Sequence, residues 1–469
     1  MASFLSLFKS GKNTLILLLT LAFLSMPVVL NNFVVLAIIL IASVSVTYIF
    51  INNLVINTRE LLIIIIGLSI LLPGIQLTSS FPEIRPEEFI IYALFPFILL
   101  YNLSNNALNK YSIKFSKFYV VFLFLALVSS IYGVIILNVN TGSRDIVEFV
   151  KMGKYLLIFL TVASSKPTKQ DFKLLLISFL LVMIVSALIG ILQFYNIFGF
   201  SSLTGPIYLG EKIFKVNERL TGTFSNPNSY SVVLGFSIII SLVLLLTEKK
   251  HKPKVLYVFT LGFFSICMLI TGSRTGLAAI LFSLIILLLL FTRFNVKRFK
   301  SIIPIILLLS ISFTVGVYYA GQDIVSRLSS GVNLLENESL LMRIYAWYLN
   351  IQLIIQSPIL GWGPTKEMFT TVVDNEYILT VRRYGIVGGL AFLSLYLYPL
   401  LVSLKHYFQS AGNKFALIIS VTMVFFLISN LTNSVYNHIQ TMDMWFIILG
   451  AYFGSYGTLA QNNNLKKVI

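Results

Sequence analysis

The side chains that could do chemistry lie in four short segments: Arg219 in NERLTGTFSNPNSYS, Arg274 in TGSRTG, Arg343 in LLMRIYAWYLNIQLIIQSPILGWGP, and Asp374, Glu376, Arg382 and Arg383 in DNEYILTVRRYGIVGG. A guanidinium is always charged and presents a planar fork of donors. Pro227 in the first segment fits the first turn of a helix and Asn226 its cap, leaving N–H groups that could receive an anion beside Arg219 and Asn228. The same segment also reads as a loop closing onto a capped helix with an exposed arginine. TGSRTG is a tight glycine turn between two apolar stretches; Arg274 there either addresses a cavity or snorkels to headgroups. Arg343 stands one helical turn before Trp347, and the aromatics around it suit an interfacial helix without chemistry. Asp374 reads as a helix N-cap with Glu376 in the first turn, which sets Arg382 and Arg383 about two turns into the helix, a depth at which charges face a cavity. The D-x-E spacing of Asp374 and Glu376 is a weak metal signal, with no histidine or further acid beside it.

A second charged stretch runs through Arg144, Asp145, Glu148, Lys151 and Lys154. Spacings of three and four residues let these pair along one helix, as a self-satisfied ladder, or line the same cavity. His438, near Asp443, is a lone histidine of the kind more often structural than catalytic.

These residues need a membrane bundle to position them. Of the chain, 57% is hydrophobic and 11% charged, and mean hydropathy is +0.91. Apolar runs long enough to cross a bilayer recur from Leu15 to Leu459. The pattern predicts an all-α integral membrane protein, a polytopic bundle of about fourteen transmembrane helices. They fall at 14–30, 33–51, 61–78, 88–101, 118–137, 147–163, 173–197, 228–247, 255–271, 276–292, 301–320, 376–401, 414–431 and 442–460. Every second connection is basic, through Lys9, Lys12, Arg59, Lys110, Lys169, Lys250, Lys297, Lys405, Lys466 and their neighbours. Lys and Arg next to short loops are retained in the cytoplasm, so both termini are expected there and the net charge of +17 is a topology signal.

Residues 1–469 read as a single transmembrane domain, because no polar stretch is long enough to fold alone. Two long outer loops, 198–227 and 321–375, break the pattern of tight turns; they are expected to carry short helices, one over about 339–356, and to roof the site. The basic residues are divided among interhelical loops, which excludes a duplex-binding stripe, so no nucleic-acid partner is expected. Cys267 is the sole cysteine, which excludes an intrachain disulfide and a cysteine metal site. Met1 to Leu30 has a charged start and an apolar run with no A-x-A-like site after it, and reads as a retained first helix. No Gly-rich nucleotide loop is present.

Taken together, GTFSNPNSY after Arg219, TGSRTGLA around Arg274, the R-x3-W stretch leading to SPILGWG, and DNEYI followed by YGIVGG resemble the O-antigen polymerase and O-antigen ligase superfamily of bacterial envelope glycosyltransferases. The resemblance covers roughly Leu180 to Leu400. Ligases usually carry a histidine where Asp374 stands, thought to activate the acceptor sugar, so the resemblance favours the Wzy-type polymerase branch. Polymerases are often described by Arg-x10-Gly loop motifs, and here Arg219 and Arg343 are followed by glycine at other spacings.

The resemblance implies undecaprenyl-diphosphate-linked oligosaccharides as donor and acceptor, at the outer face of the bacterial cytoplasmic membrane. The site would face the periplasm or the cell exterior. It also implies the lipid bilayer and a chain-length-regulating membrane protein as partners. Arg219, Arg274, Arg343, Arg382 and Arg383 would clamp the diphosphate, since guanidinium forks bind phosphate oxygens bidentately. Asp374, with Glu376 in reserve, would take the proton of the attacking hydroxyl. Arg144, Lys151, Lys154, Asn226, Asn228, Tyr377 and His438 would line the cavity. No cofactor or metal ion is expected. The alternatives are a ligase that transfers glycan to a lipid A core and, from another class, a lipid-linked oligosaccharide flippase, for which loops elaborated on one face offer little.

Overall fold

The computed structural model describes residues 58–74, 84–105, 108–208, 218–293, 302–329, 338–369, 373–410 and 413–465. The expected spans at 14–30 and 33–51 lie outside them, as do Lys9, Lys12, Lys297 and Lys466. The described residues form helices and no strand: α1 Thr58–Leu71, α2 Pro86–Asn105, α3 Lys110–Ile135, α4 Ser143–Ser164, α5 Lys169–Phe194, α6 Phe200–Tyr208, α7 Pro227–Thr247, α8 His251–Ile270, α9 Arg274–Thr292, α10 Ile303–Ser329, α11 Glu338–Gln356, α12 Glu376–Gln409, α13 Lys414–Ser429 and α14 Ile439–Leu465. Among them, α2, α3, α5, α7, α8, α9 and α12 are long and apolar enough to cross a membrane.

Burial shows why these sequences need a bilayer. On α3 the buried residues Phe115, Tyr119, Phe122, Ala126, Ser129 and Gly133 recur at alternating four- and three-residue steps, forming one face. The opposite face, with Val120, Phe124, Leu127, Ile131 and Val134, is exposed and equally apolar. A helix in water would make that second face polar. Inside the bundle, α7 is enclosed from Tyr230 to Leu244 and packs on α8, α9 and α13. α14 packs on α4, and α12 on α3, α13 and α11.

The helix ends are set by short polar side chains. Asn109 accepts from the N–H groups of Tyr111 and Ser112 to open α3, and Asn413 accepts from Phe415 and Ala416 to open α13. Asn226 caps α7 with Pro227 at its first position, as expected. At α12 the expectation is corrected by one residue: the cap is Asn375, which accepts from Tyr377 and Ile378, leaving Asp374 outside the helix. Helix α12 also runs to Gln409, past the expected end at 401, while α1 stops at Leu71, short of 78.

The connections between the long helices sort to two ends of the bundle. The basic end holds the Arg59–Asp171 pair at 3.3 Å and the Lys173–Glu248 pair at 2.8 Å. The starts of α4, α7, α9, α12 and α14 gather at the other end, with the expected site residues.

Candidate functional site

The centre of this end is a broken helix. Gly385 adopts φ +67°, which interrupts α12 between a short first segment and a long second one. The break leaves backbone groups that the stretch following α11 satisfies. Trp362 N–H donates to the Arg382 carbonyl at 3.0 Å, Gly363 N–H to the Arg383 carbonyl at 2.7 Å, and Ile386 N–H to the Pro358 carbonyl at 2.8 Å. Ser129 Oγ on α3 adds a 2.6 Å bond to the Arg383 carbonyl. A Cβ at Gly385 would strike the Ile359 carbonyl, so this crossing requires glycine. Non-helical backbone at membrane depth is tolerated only where protein or a cavity meets its polar groups.

The first segment of α12 carries both arginines inward, in different directions. Arg382 is 2% exposed; its Nη1 donates to Asn350 Oδ1 of α11 at 2.9 Å and its guanidinium lies 5.2 Å from the Phe369 ring centroid. Its Nε is buried without a hydrogen-bond partner, and the amide and the ring that hold the cation are both neutral. Arg383 turns toward α4, with Nη1 3.7 Å from Glu148 Oε1.

Helix α4 meets it with a fully buried carboxylate. Glu148 also pairs with Lys151 at 2.8 Å and with Lys366. Lys151 is further held by Asn437 Oδ1 at 3.0 Å and lies over the Tyr436 ring. One turn on, Lys154 pairs with Glu88 of α2 at 2.8 Å and Asp443 of α14 at 3.0 Å. The reading of this stretch as a self-satisfied ladder is therefore corrected: only Glu148–Lys151 pairs within α4, and the remaining partners come from other elements. Lys154 ties three helices together, buried between the two carboxylates. Arg144 is exposed.

The two carboxylates at the start of α12 part company. Asp374 pairs with Arg343 Nε of α11 at 3.2 Å, and its side chain is 38% exposed. Glu376 is buried; it accepts from Tyr436 N–H at 3.1 Å, and its own N–H donates to the Asn430 carbonyl at 2.9 Å. Tyr377 donates its hydroxyl to the Leu427 carbonyl at 2.7 Å and so fastens α12 to α13.

On the other flank, Arg219 is held by the loop around it, donating from Nε to the Thr271 carbonyl at 2.7 Å and from Nη2 to Asn228 Oδ1 at 2.8 Å. Arg274 is the first residue of α9, half-buried, behind the cap Ser273, whose hydroxyl accepts from Ser231 of α7 at 3.0 Å. His438 links the flanks: its Nε2 is 3.0 Å from Ser229 Oγ, and its neighbour Asn437 holds Lys151. Burial, with Lys151 nearby, holds the His438 imidazole down to about 4, so it is neutral at physiological pH.

The structure thus brings Arg343, Asp374, Glu376, Arg382, Arg383 and Lys151 to the two segments that meet at the α12 break, and places Arg219, Asn226, Asn228 and Arg274 on the α7–α9 flank. Sequence reasoning missed Lys366, Asn350 and Asn437. Lys366 follows SPILGWGPT with no periodicity to mark it, and only the fold sets it against α4. Among the described residues, no group of three or more His, Cys, Asp or Glu could hold a metal ion.

The helical bundle, its apolar outer faces and the spanning helices define a multi-pass membrane protein with an arginine-rich end. Residues 258–393, from α8 into α12, match the family model described as O-Antigen ligase, in agreement with the superfamily resemblance of the four segments. That family implies a glycosyltransferase-like enzyme of O-antigen biosynthesis. The match includes Arg274, Arg343, Asp374, Arg382 and Arg383, and leaves Arg219 and the α4 charges outside. No curated protein matches the chain.

Proposed function

We propose that the chain is a polysaccharide polymerase that transfers a glycan from undecaprenyl diphosphate to the non-reducing end of a second lipid-linked repeat unit. The observation that carries this reading is the buried guanidinium of Arg382, held by an amide and an aromatic ring, beside Arg383 on the same broken helix. A cation so placed needs a mobile anion, and a lipid diphosphate supplies one. The acceptor hydroxyl attacks the anomeric carbon, the bond from that carbon to the diphosphate oxygen breaks, and the arginines stabilise the departing anion. The hydroxyl proton passes to Asp374, which is accessible where Glu376 is buried and committed to the Tyr436 N–H. Pairing with Arg343 orients the Asp374 carboxylate, which takes the proton late, as the hydroxyl becomes acidic with the forming bond. The arginines supply the positive charge, so the reaction is proposed to be metal-independent and to survive EDTA.

The description of the matching family favours a second reading, transfer to a lipid A core by a ligase. Aspartate at position 374, where ligases usually carry histidine, supports the polymerase. Reconstituted protein given both acceptors decides between them: lengthening of the lipid-linked glycan supports the polymerase, transfer to the core the ligase, and translocation without a new bond a flippase.

A further inference from the structure

Glu148 holds three cations from three elements: Lys151 of α4 itself, Lys366 of the segment after α11, and Arg383 of α12. One carboxylate cannot neutralise three positive charges. Glu376, within electrostatic range of Arg383 and Lys151, and Asp145, against the Lys366 backbone, bring the carboxylates to three, and Arg382 beside Arg383 leaves the cluster with a net positive charge. The three differ in freedom. Lys151 is saturated by Glu148, Asn437 and the Tyr436 ring, and Arg383 is buried. Lys366 alone of the three is substantially accessible, its side chain 28% exposed. Its backbone is fixed independently, because Lys366 N–H donates to Asp145 Oδ1 at 2.8 Å and Asp145 Oδ2 in turn accepts from Gly142 N–H.

We infer that Lys366 is a phosphate-binding residue of the site, and that Glu148 is a positioning residue holding it beside Arg383 as a resident counter-anion. Arg383 and Lys366 converge on the two oxygens of a single carboxylate, so one arriving anion can engage both. This inference rests on the proposal that the substrate carries a diphosphate. A loop lysine whose only task was to fasten the segment would be redundant with the Asp145 bond and with the three backbone bonds at the α12 break.

The test uses the full-length protein in liposomes, with lipid-linked repeat unit as substrate and inorganic pyrophosphate as competing anion. Removing one charge-assisted hydrogen bond should raise the KM for donor and the inhibition constant of pyrophosphate each by about tenfold or more in Lys366→Met, with a smaller change in kcat. Lys366→Arg should restore both. Glu148→Gln should lower kcat and loosen pyrophosphate together, and Glu148→Asp should recover part of each. Thermal stability of Lys366→Met should match the wild type, because the side chain is partly exposed and Lys151 and Arg383 still pair with Glu148. An unchanged pyrophosphate constant in Lys366→Met, with or without a loss of stability, overturns the assignment. The proposed function fails separately, if wild-type protein forms no glycan from the lipid-linked donor.

Discussion

Replacing Arg382 distinguishes a structural buried cation from a substrate-binding one. If Arg382 serves only the fold, Arg382→Met keeps an apolar chain about as long as the arginine stem and removes a buried charge whose Nε has no partner, and the change should be close to neutral or stabilising. The bond to Asn350 and the packing on Phe369 disappear, while the desolvation cost of a guanidinium is relieved. If Arg382 binds the diphosphate, the folded protein survives and activity does not. A hydrogen bond to a charged group contributes about 1.5–3 kcal/mol, which converts to roughly 10- to 150-fold in kcat/KM for each such bond removed. Two forked bonds in a partly desolvated site multiply that figure. Arg382→Lys keeps the charge but loses the fork, and should fall between wild type and Arg382→Met. Turnover of lipid-linked donor in liposomes, with thermal unfolding of the same samples, measures both quantities. A stable Arg382→Met protein with normal kcat/KM would refute the reasoning.

Three further outcomes are expected. Asp374→Asn should retain donor binding and lose polymer formation by about 10² to 10⁴-fold; near-normal polymer from it, with inactive Glu376→Gln, moves the base to Glu376. Gly385→Ala forces a side chain into positive φ against the Ile359 carbonyl, and should lower the melting temperature, by backbone strain alone of about 1–3 kcal/mol; an unchanged melting temperature would show that the break is not needed. His438 titrates near 4 in the folded protein and near 6.5 when unfolded, so the unfolded chain binds the extra proton between these values. Stability should therefore be level above about pH 6.5 and fall as pH drops toward 4, and His438→Gln should flatten that part of the slope; equal slopes in the two proteins contradict it.

What the sequence revealed depended on how local the cause was. Asn226 with Pro227 is a cap written in adjacent residues, and the structure has it as read. Asp374 and Asn375 are both good caps, and only the backbone angles at the turn select Asn375. The α4 charges have spacings that fit a local ladder, yet Lys154 is claimed by Glu88 and Asp443, and Glu148 by Lys366 and Arg383. Those partners lie far along the chain, and periodicity carries no information about them. YGIVGG carries part of the superfamily resemblance but does not show where the helix breaks. That is decided by the carbonyls of Pro358 and Ile359, brought in by a segment that the sequence showed only as the end of a helix. The arginines were legible because charge at membrane depth is rare, whereas which arginine meets which partner is a property of the packed bundle.

The most direct measurement is chain growth by the purified full-length protein in liposomes supplied with its lipid-linked repeat unit. The expected result is a ladder of lengthening lipid-linked glycans, with one undecaprenyl diphosphate released for each bond formed, and no ladder from Arg382→Met. Single transfer to a lipid A core with no ladder, or movement of the repeat unit across the bilayer with no diphosphate released, would contradict it.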